Sequence, residues 1–327
     1  MSSDDPKVRA SAFADLARHT DADGVSRTRV VAALERGILR EDDVRVRVAA
    51  VLAVADLRAT EVVPAVLMAT EDEAAFVREL AVRALGELGD ARALPKVRRL
   101  LDDERPELRY QAVAAWSRLP HESVEERLVP ILATFRRTHE LRDVKLMALR
   151  VLDEIVDRGP LEGAPSDLDK LLREALEDDG TALLAALVLA KLGDAEGRRV
   201  VGQFVARRPL PGSVPNEDDR EAILLAGRFR WAELVPSLLR RARGIGRFLA
   251  DTCATESLVA LAALGDARSL AELEKLVRKA RGANLDALAL LCARARVAAA
   301  APWFESLARG GGVVAEALAE LRATTLE

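Results

Sequence analysis

Cysteine is scarce in this 327-residue sequence: there are two, Cys253 and Cys292, each within an apolar helical pattern. So few thiols exclude a disulfide framework and point to a reducing cytoplasm. Aromatic residues make up only 3% of the chain, with a single tyrosine, although half of all residues are hydrophobic. The core must therefore be Leu, Val and Ala, small side chains suited to close helix–helix contact. Long hydrophobic runs are missing too. The most apolar stretch, Ala182–Ala190, is far short of the ~20 residues that a membrane span needs. The residues Met1 to Pro6 are acidic and carry no apolar segment, so no signal peptide is expected. Nor is there an excess of charge of one sign. Acids number 53 and Lys plus Arg 49, for a formal net charge of −4, and the two signs are interspersed. That gives no global drive toward nucleic acid. Arg greatly outnumbers Lys, the composition expected of a GC-rich bacterial genome.

What the sequence does contain is a repeat. Val46-Arg47 with Ala50 and Val54 recurs as Val77-Arg78 with Ala81 and Leu85, then as Leu108-Arg109 with Ala112 and Trp116, at a step of 31 residues. Pro64 falls on Pro95 at the same step. A fixed period of this size means stacked supersecondary units, each too small to bury its own apolar face. Within a unit, helix A carries apolar residues at steps of three and four, as in Val77, Leu80, Ala81, Ala84, Leu85 and Leu88. Gly89, Gly193 and Gly265 supply left-handed stops. Helix B opens near Pro64, Pro95, Pro236 and Pro302, since proline is tolerated in a first turn.

This template predicts units starting near Val8, Val46, Val77, Leu108, Val144, Thr181, Asp218, Cys253 and Asn284, closed by a last helix near Val313–Ala323. The expected architecture is an all-α, right-handed α-solenoid of about nine antiparallel helix pairs in a single array over residues 1–327. Its more regular half is about 1–157. The more divergent half is about 168–327, with Pro/Gly-rich insertions near 158–167 and 207–218.

The run from Val77-Arg78 through Leu85-Gly86, Leu88-Gly89-Asp90, Ala93-Leu94-Pro95 and Leu100-Leu101 to Asp103 resembles the HEAT-repeat family, in its short phycobilisome-lyase-like bacterial form. The resemblance is strongest over residues 44–120 and again at 181–195 and 253–280. It weakens across 121–180 and 200–245. It implies the fold. For function it implies an interaction scaffold, with a few enzymes and DNA-binding proteins among such arrays, so any activity must be argued from sites.

Catalytic chemistry finds little support. The histidines are His19, His121 and His139, two of them in the pairs His121-Glu122 and His139-Glu140. A family of HEAT-like di-iron hydroxylases uses repeated His-Glu pairs, but these two occupy unlike places in the repeat, so no metal site, cofactor or catalytic residue is assigned. The scaffold alone would suggest a phycobilin lyase, without a supporting constellation. Arg243-Gly244 through Gly246-Arg247 is read as a helix cap rather than a phosphate loop.

Binding finds more. Projecting helix B places Leu94, Val97 and Leu101 inward and leaves Lys96 and Arg99 on the concave face, in a row with Arg127, Arg240, Lys275 and Trp303. Glu272, Ser237 and Met68 share that row, so it reads first as a solvated mixed face, with an acidic or extended protein segment favoured over a nucleic-acid backbone as its ligand. The residue after each unit start is basic five times (Arg9, Arg47, Arg78, Arg109, Lys145) and then no longer, with acids such as Asp43 or Glu107 as expected surface partners. The unit at Thr181 has Ala182, Leu183 and Leu187 where others have polar residues, and Val259 and Leu290 follow later. This apolar outer set must be covered, either internally by the Pro-rich insertions or by a second protein, including another copy through the C-terminal half. Trp116 is expected in the core, and Trp231 and Trp303 near exposed junctions where a ring can anchor a partner.

Overall fold

The structure is a computed structural model that describes residues 3–19, 27–137, 140–159, 161, 164–206, 217–243, 252–305, 307–308 and 312–323. Those residues form 19 α-helices, four short 3-10 turns and no strand. The fold is an all-α solenoid of helix pairs. Its packing divides into two compact units, Met1–Val188 and Leu189–Glu327.

The first unit pairs α1 (Pro6–His19) with α2 (Arg27–Leu39), α3 (Val44–Asp56) with α4 (Val63–Ala69), and α5 (Ala75–Leu88) with α6 (Leu94–Leu100). It continues with α7 (Pro106–Arg118) and α8 (Val124–Phe135), then α9 (Arg142–Asp157) and α10 (Leu168–Leu176). The A helices α1, α3, α5, α7 and α9 stack in one layer. The B helices α2, α4, α6 and α8 pack under the A helix of the next pair, α3, α5, α7 and α9. The repeated apolar positions make this core: Val46, Ala50 and Val54, Val77, Ala81 and Leu85, and Leu108, Ala112 and Trp116 are all buried. Burying such side chains stabilises by about 1.5–3 kcal/mol each for the larger ones.

Helix α11 (Ala182–Lys191) runs across the division between the units. The second unit continues with α12 (Ala195–Ala206), α13 (Glu217–Arg228), α14 (Val235–Arg243), α15 (Ala254–Ala263), α16 (Ala267–Lys279), α17 (Ala283–Arg294), α18 (Ala301–Glu305) and α19 (Val313–Ala323). Here too α13, α15, α17 and α19 stack, and α12 lies on α14. Leu258, Leu273, Cys292, Phe304 and Leu321 belong to one cluster at its centre.

The junctions follow from local chemistry. Gly89, Gly193 and Gly265 take positive φ values of 62°, 86° and 86° just past their A helices. Arg58, Arg230 and Arg296 hold the same place in units without a glycine, at φ 46°, 54° and 56°. A left-handed residue is thus required by the geometry of the turn, whether or not the side chain suits it. Pro64 and Pro95 lie in the first turn of α4 and α6, each after a 3-10 turn. Close packing of A helices uses glycine once in each unit: a Cβ on Gly86 would stand 2.6 Å from Ala115 Cα, and one on Gly227 2.8 Å from Ala260 Cα.

Candidate protein-binding groove

The B layer of the first unit carries a groove of about 310 Å³ between α4 and α6. Leu67 and Met68 come from α4, Arg92 from the turn before α6, and Pro95, Lys96 and Arg99 from α6. Met68 is 64% exposed, which nothing in the core demands of a thioether. The proline of α6 fixes the first turn and so sets Lys96 and Arg99 on the solvent side, while Val97, Leu100 and Leu101 turn inward. Leu94, expected with the inward set, is half-buried.

The cations differ in availability. The Lys96 ammonium pairs with Glu71. Arg92 is held by Asp90 at 2.7 Å and also donates to the Thr60 carbonyl at 2.6 Å. Arg99 donates only to the Pro95 carbonyl, at 3.3 Å, and forms no ion pair among the described residues. Arg127 is not a surface cation: burial and the charge of Arg158 lower its pKa, and its Nε–H has no hydrogen-bond partner. In the second unit, Arg240 is exposed and donates to Ser237 Oγ at 3.0 Å, Lys275 is exposed, and Trp303 is half-buried against the core cluster. The structure therefore brings Lys96 and Arg99 together with Met68, while Arg240, Lys275 and Trp303 belong to the other unit. Arg92 and Leu67 escaped the sequence projection because they lie outside the helix-B row used to build it.

The basic column is not a set of exposed ion pairs. Arg9, Arg47, Arg78 and Arg109 each donate Nη1–H to the two main-chain carbonyls of the turn before their own helix, as Arg109 does to Asp103 at 2.7 Å and Glu104 at 3.0 Å. Three of them then reach an acid in the next turn: Arg9 to Glu41, Arg47 to Asp72 and Glu73, and Arg109 to Glu140. Asp43 and Glu107 are not the partners. Side chains near a helix start point back over the preceding turn, toward the turns rather than along the helix. Asp43 instead caps α3 and pairs with Arg45. Arg78 has no acid, because Asp103 is taken by Arg105 at 2.8 Å.

The apolar outer set is corrected in the same way. Ala182, Leu187 and Val259 are buried, Leu187 fully, and Leu183 is half-buried. Only Leu290 stands out, at 43% exposure. A helix that is apolar all round is a covered helix, and Ala182, Leu187 and Val259 are covered within the chain. The insertion Pro209–Pro215 lies outside the described residues, as do Pro160, Glu162 and Gly163. Trp231, expected to be an exposed anchor, is 3% exposed, stacked on Phe229 with Arg198 over its ring. Trp116 is in the core as expected, its indole N–H donating to the Arg127 carbonyl at 2.9 Å.

His121 packs on Trp116 with ring centroids 4.4 Å apart, and its Nε2 donates to the Trp116 carbonyl at 2.7 Å. Burial lowers its pKa, and the ring serves the turn. Glu140 is committed to Arg109, and His139 lies outside the described residues. The same holds for Gly244–Arg247 and for the side chain of His19. Among the described residues no three His, Cys, Asp or Glu side chains converge as metal ligands. Cys253 and Cys292 are buried and form no disulfide, and burial pushes the Cys292 thiol up to about 12. No described helix is long and apolar enough to cross a membrane.

The family profile described as HEAT repeats matches residues 31–117 and 64–153. Among solved structures, yeast importin-beta (Kap95p) is similar over 98% of this chain and 56% of its own, at 13% identity and a TM-score of 0.52. YibA of Escherichia coli is similar over 81% of this chain and 94% of its own (12% identity, TM-score 0.47). Human deoxyhypusine hydroxylase is similar over 82% and 96% (18% identity, TM-score 0.36). No curated protein matches by sequence. At these identities the likeness concerns the fold alone.

Proposed function

Residues 31–153 are HEAT repeats within an all-α solenoid, and from that premise we propose that the chain is a non-catalytic scaffold that binds a protein segment on its B layer. The observation that carries the reading is the α4–α6 groove, where the exposed Met68 stands beside Lys96 and Arg99. A flexible thioether accepts an apolar side chain of varied shape. The unpaired guanidinium of Arg99 receives a carboxylate, and two N–H donors of its fork suit one. The occupant is therefore an acidic, extended segment with an apolar residue beside the acid. Two buried cysteines without a disulfide suit work in a reducing cytoplasm.

Duplex DNA is the second reading, favoured by the same cations. It is weaker because Glu71 and Asp102 interrupt the row as partners of Lys96 and Arg98, leaving no even track for phosphates. A labelled glutamate–leucine peptide and a short DNA duplex, titrated in parallel at low and moderate salt, separate the two. The scaffold reading expects peptide binding that Arg99→Glu weakens. Steeply salt-dependent DNA binding with no peptide binding would transfer the groove to the second reading, and an unaffected Arg99→Glu variant would remove the groove from both.

A further inference from the structure

We propose that a second groove, on the A layer of the first unit, binds a basic protein segment that carries an apolar anchor. It is larger than the first, about 440 Å³, and runs over the N-terminal halves of α7 and α9 beside α5. Tyr110, Leu141 and Met147 give it an apolar lining, and Glu79, Glu107 and Asp143 stand among them. Leu141 is 53% exposed at the start of α9, a position that packing inside the repeat does not require.

Charge identifies the occupant. None of the three carboxylates makes an ion pair or hydrogen bond among the described residues. Arg150, the cation that also lines the groove, is itself already engaged. Glu107 and Asp143 lie in the first turns of α7 and α9, where helix dipoles stabilise acids. That local benefit does not extend to Glu79, a turn further along α5, or to the exposed Leu141. Together these residues offer an aromatic ring, an adaptable thioether and a surplus of negative charge, the complement of a segment that alternates Lys or Arg with an apolar side chain. Acidic segments are repelled here and attracted to the α4–α6 groove. The two layers of one unit would thus take partners of opposite charge, and nothing in the A-layer argument depends on the B-layer reading.

Tyr110 is the chain's single tyrosine, so the full-length protein made with 3-fluorotyrosine has one fluorine resonance, and it reports from this groove. The probes are an alternating lysine–leucine peptide and a glutamate–leucine peptide of equal length. The lysine–leucine peptide should shift the resonance saturably, with affinity falling as salt rises. Glu107→Lys with Asp143→Lys should weaken it about tenfold or more, and the isosteric Glu107→Gln with Asp143→Asn should weaken it in the same direction, with helicity unchanged by circular dichroism. Arg99→Glu should leave it intact. The proposal is overturned by the absence of a saturable shift, by equal shifts from both peptides, or by full affinity in the charge variants. It is also overturned if protein concentration alone moves the resonance while light scattering reports a dimer, since the occupant is then a second copy.

Discussion

Arg109 and Glu140, 31 residues apart in sequence, meet fork to fork: Arg109 Nε–H donates to Oε2 at 2.8 Å and Nη2–H to Oε1 at 2.5 Å, with the Glu140 side chain fully buried. Hydrogen bonding to Glu140, with its charge, raises the Arg109 pKa. Because Arg109 also holds the Asp103 and Glu104 carbonyls, one side chain ties the turn before α7 to the turn before α9.

Removing either partner strands a buried charge. Glu140→Ala is expected to cost about 3–5 kcal/mol, read by urea denaturation with an unchanged slope. A double-mutant cycle with Arg109→Ala should return a coupling of roughly 0.5–3 kcal/mol. A coupling near zero means that the pair does not hold the turns together.

At Arg58 and Arg230 a left-handed backbone is imposed on a side chain that disfavours it. Strain of about 1–2 kcal/mol is offset in part by the roughly 0.4–1 kcal/mol of extra chain entropy that a glycine brings. Arg58→Gly and Arg230→Gly should therefore each stabilise by about 0.5–1 kcal/mol. Thermal melts of the two single variants decide it, and a lowered midpoint in both contradicts the strain argument.

Helix propensity predicts that Gly86→Ala stabilises α5 by about 1 kcal/mol. The contact predicts the opposite, since the new methyl would meet the backbone of Ala115 at 2.6 Å. Backbone cannot yield as a side chain can, so a net loss of about 1–3 kcal/mol is expected. Chemical denaturation that shows a gain instead would mean that α5 and α7 are not so close.

Two carboxylates set an acid limb for the first repeats. Hydrogen bonding to Arg27 lowers Glu61 from 4.5 to about 2, and hydrogen bonding to Arg45 lowers Asp43 from 3.8 to about 2. Between those values the unfolded chain binds more protons than the folded one, so stability rises with pH there. The contribution is present above about pH 4.5 and is lost as pH falls through about 2. Glu61→Gln should flatten the decline of stability measured between pH 5 and 2, modestly, because the side chain is largely solvated. An unchanged slope refutes the assignment.

Much of this protein was legible without coordinates. The 31-residue echo located the A helices, the Pro64 and Pro95 positions located α4 and α6, and Gly89, Gly193 and Gly265 marked their junctions. Lys96 and Arg99 were found by projecting one helix. What escaped was the groove shared by Glu79, Tyr110 and Leu141, which needs three helices at once, and the carbonyl clasp beneath the basic column, a local contact that helical periodicity does not show.

The sequence by itself determined the helix pairs and the apolar stripe on each, because backbone periodicity and cap chemistry act within a dozen residues. Only the tertiary structure decided which positions the stack covers. Leu187, Val259 and Trp231 look outward on a single repeat and are buried, while Met68 and Leu141 remain open. Exposure depends on how many neighbouring helices crowd a side chain, and a pattern read along one helix does not count its neighbours.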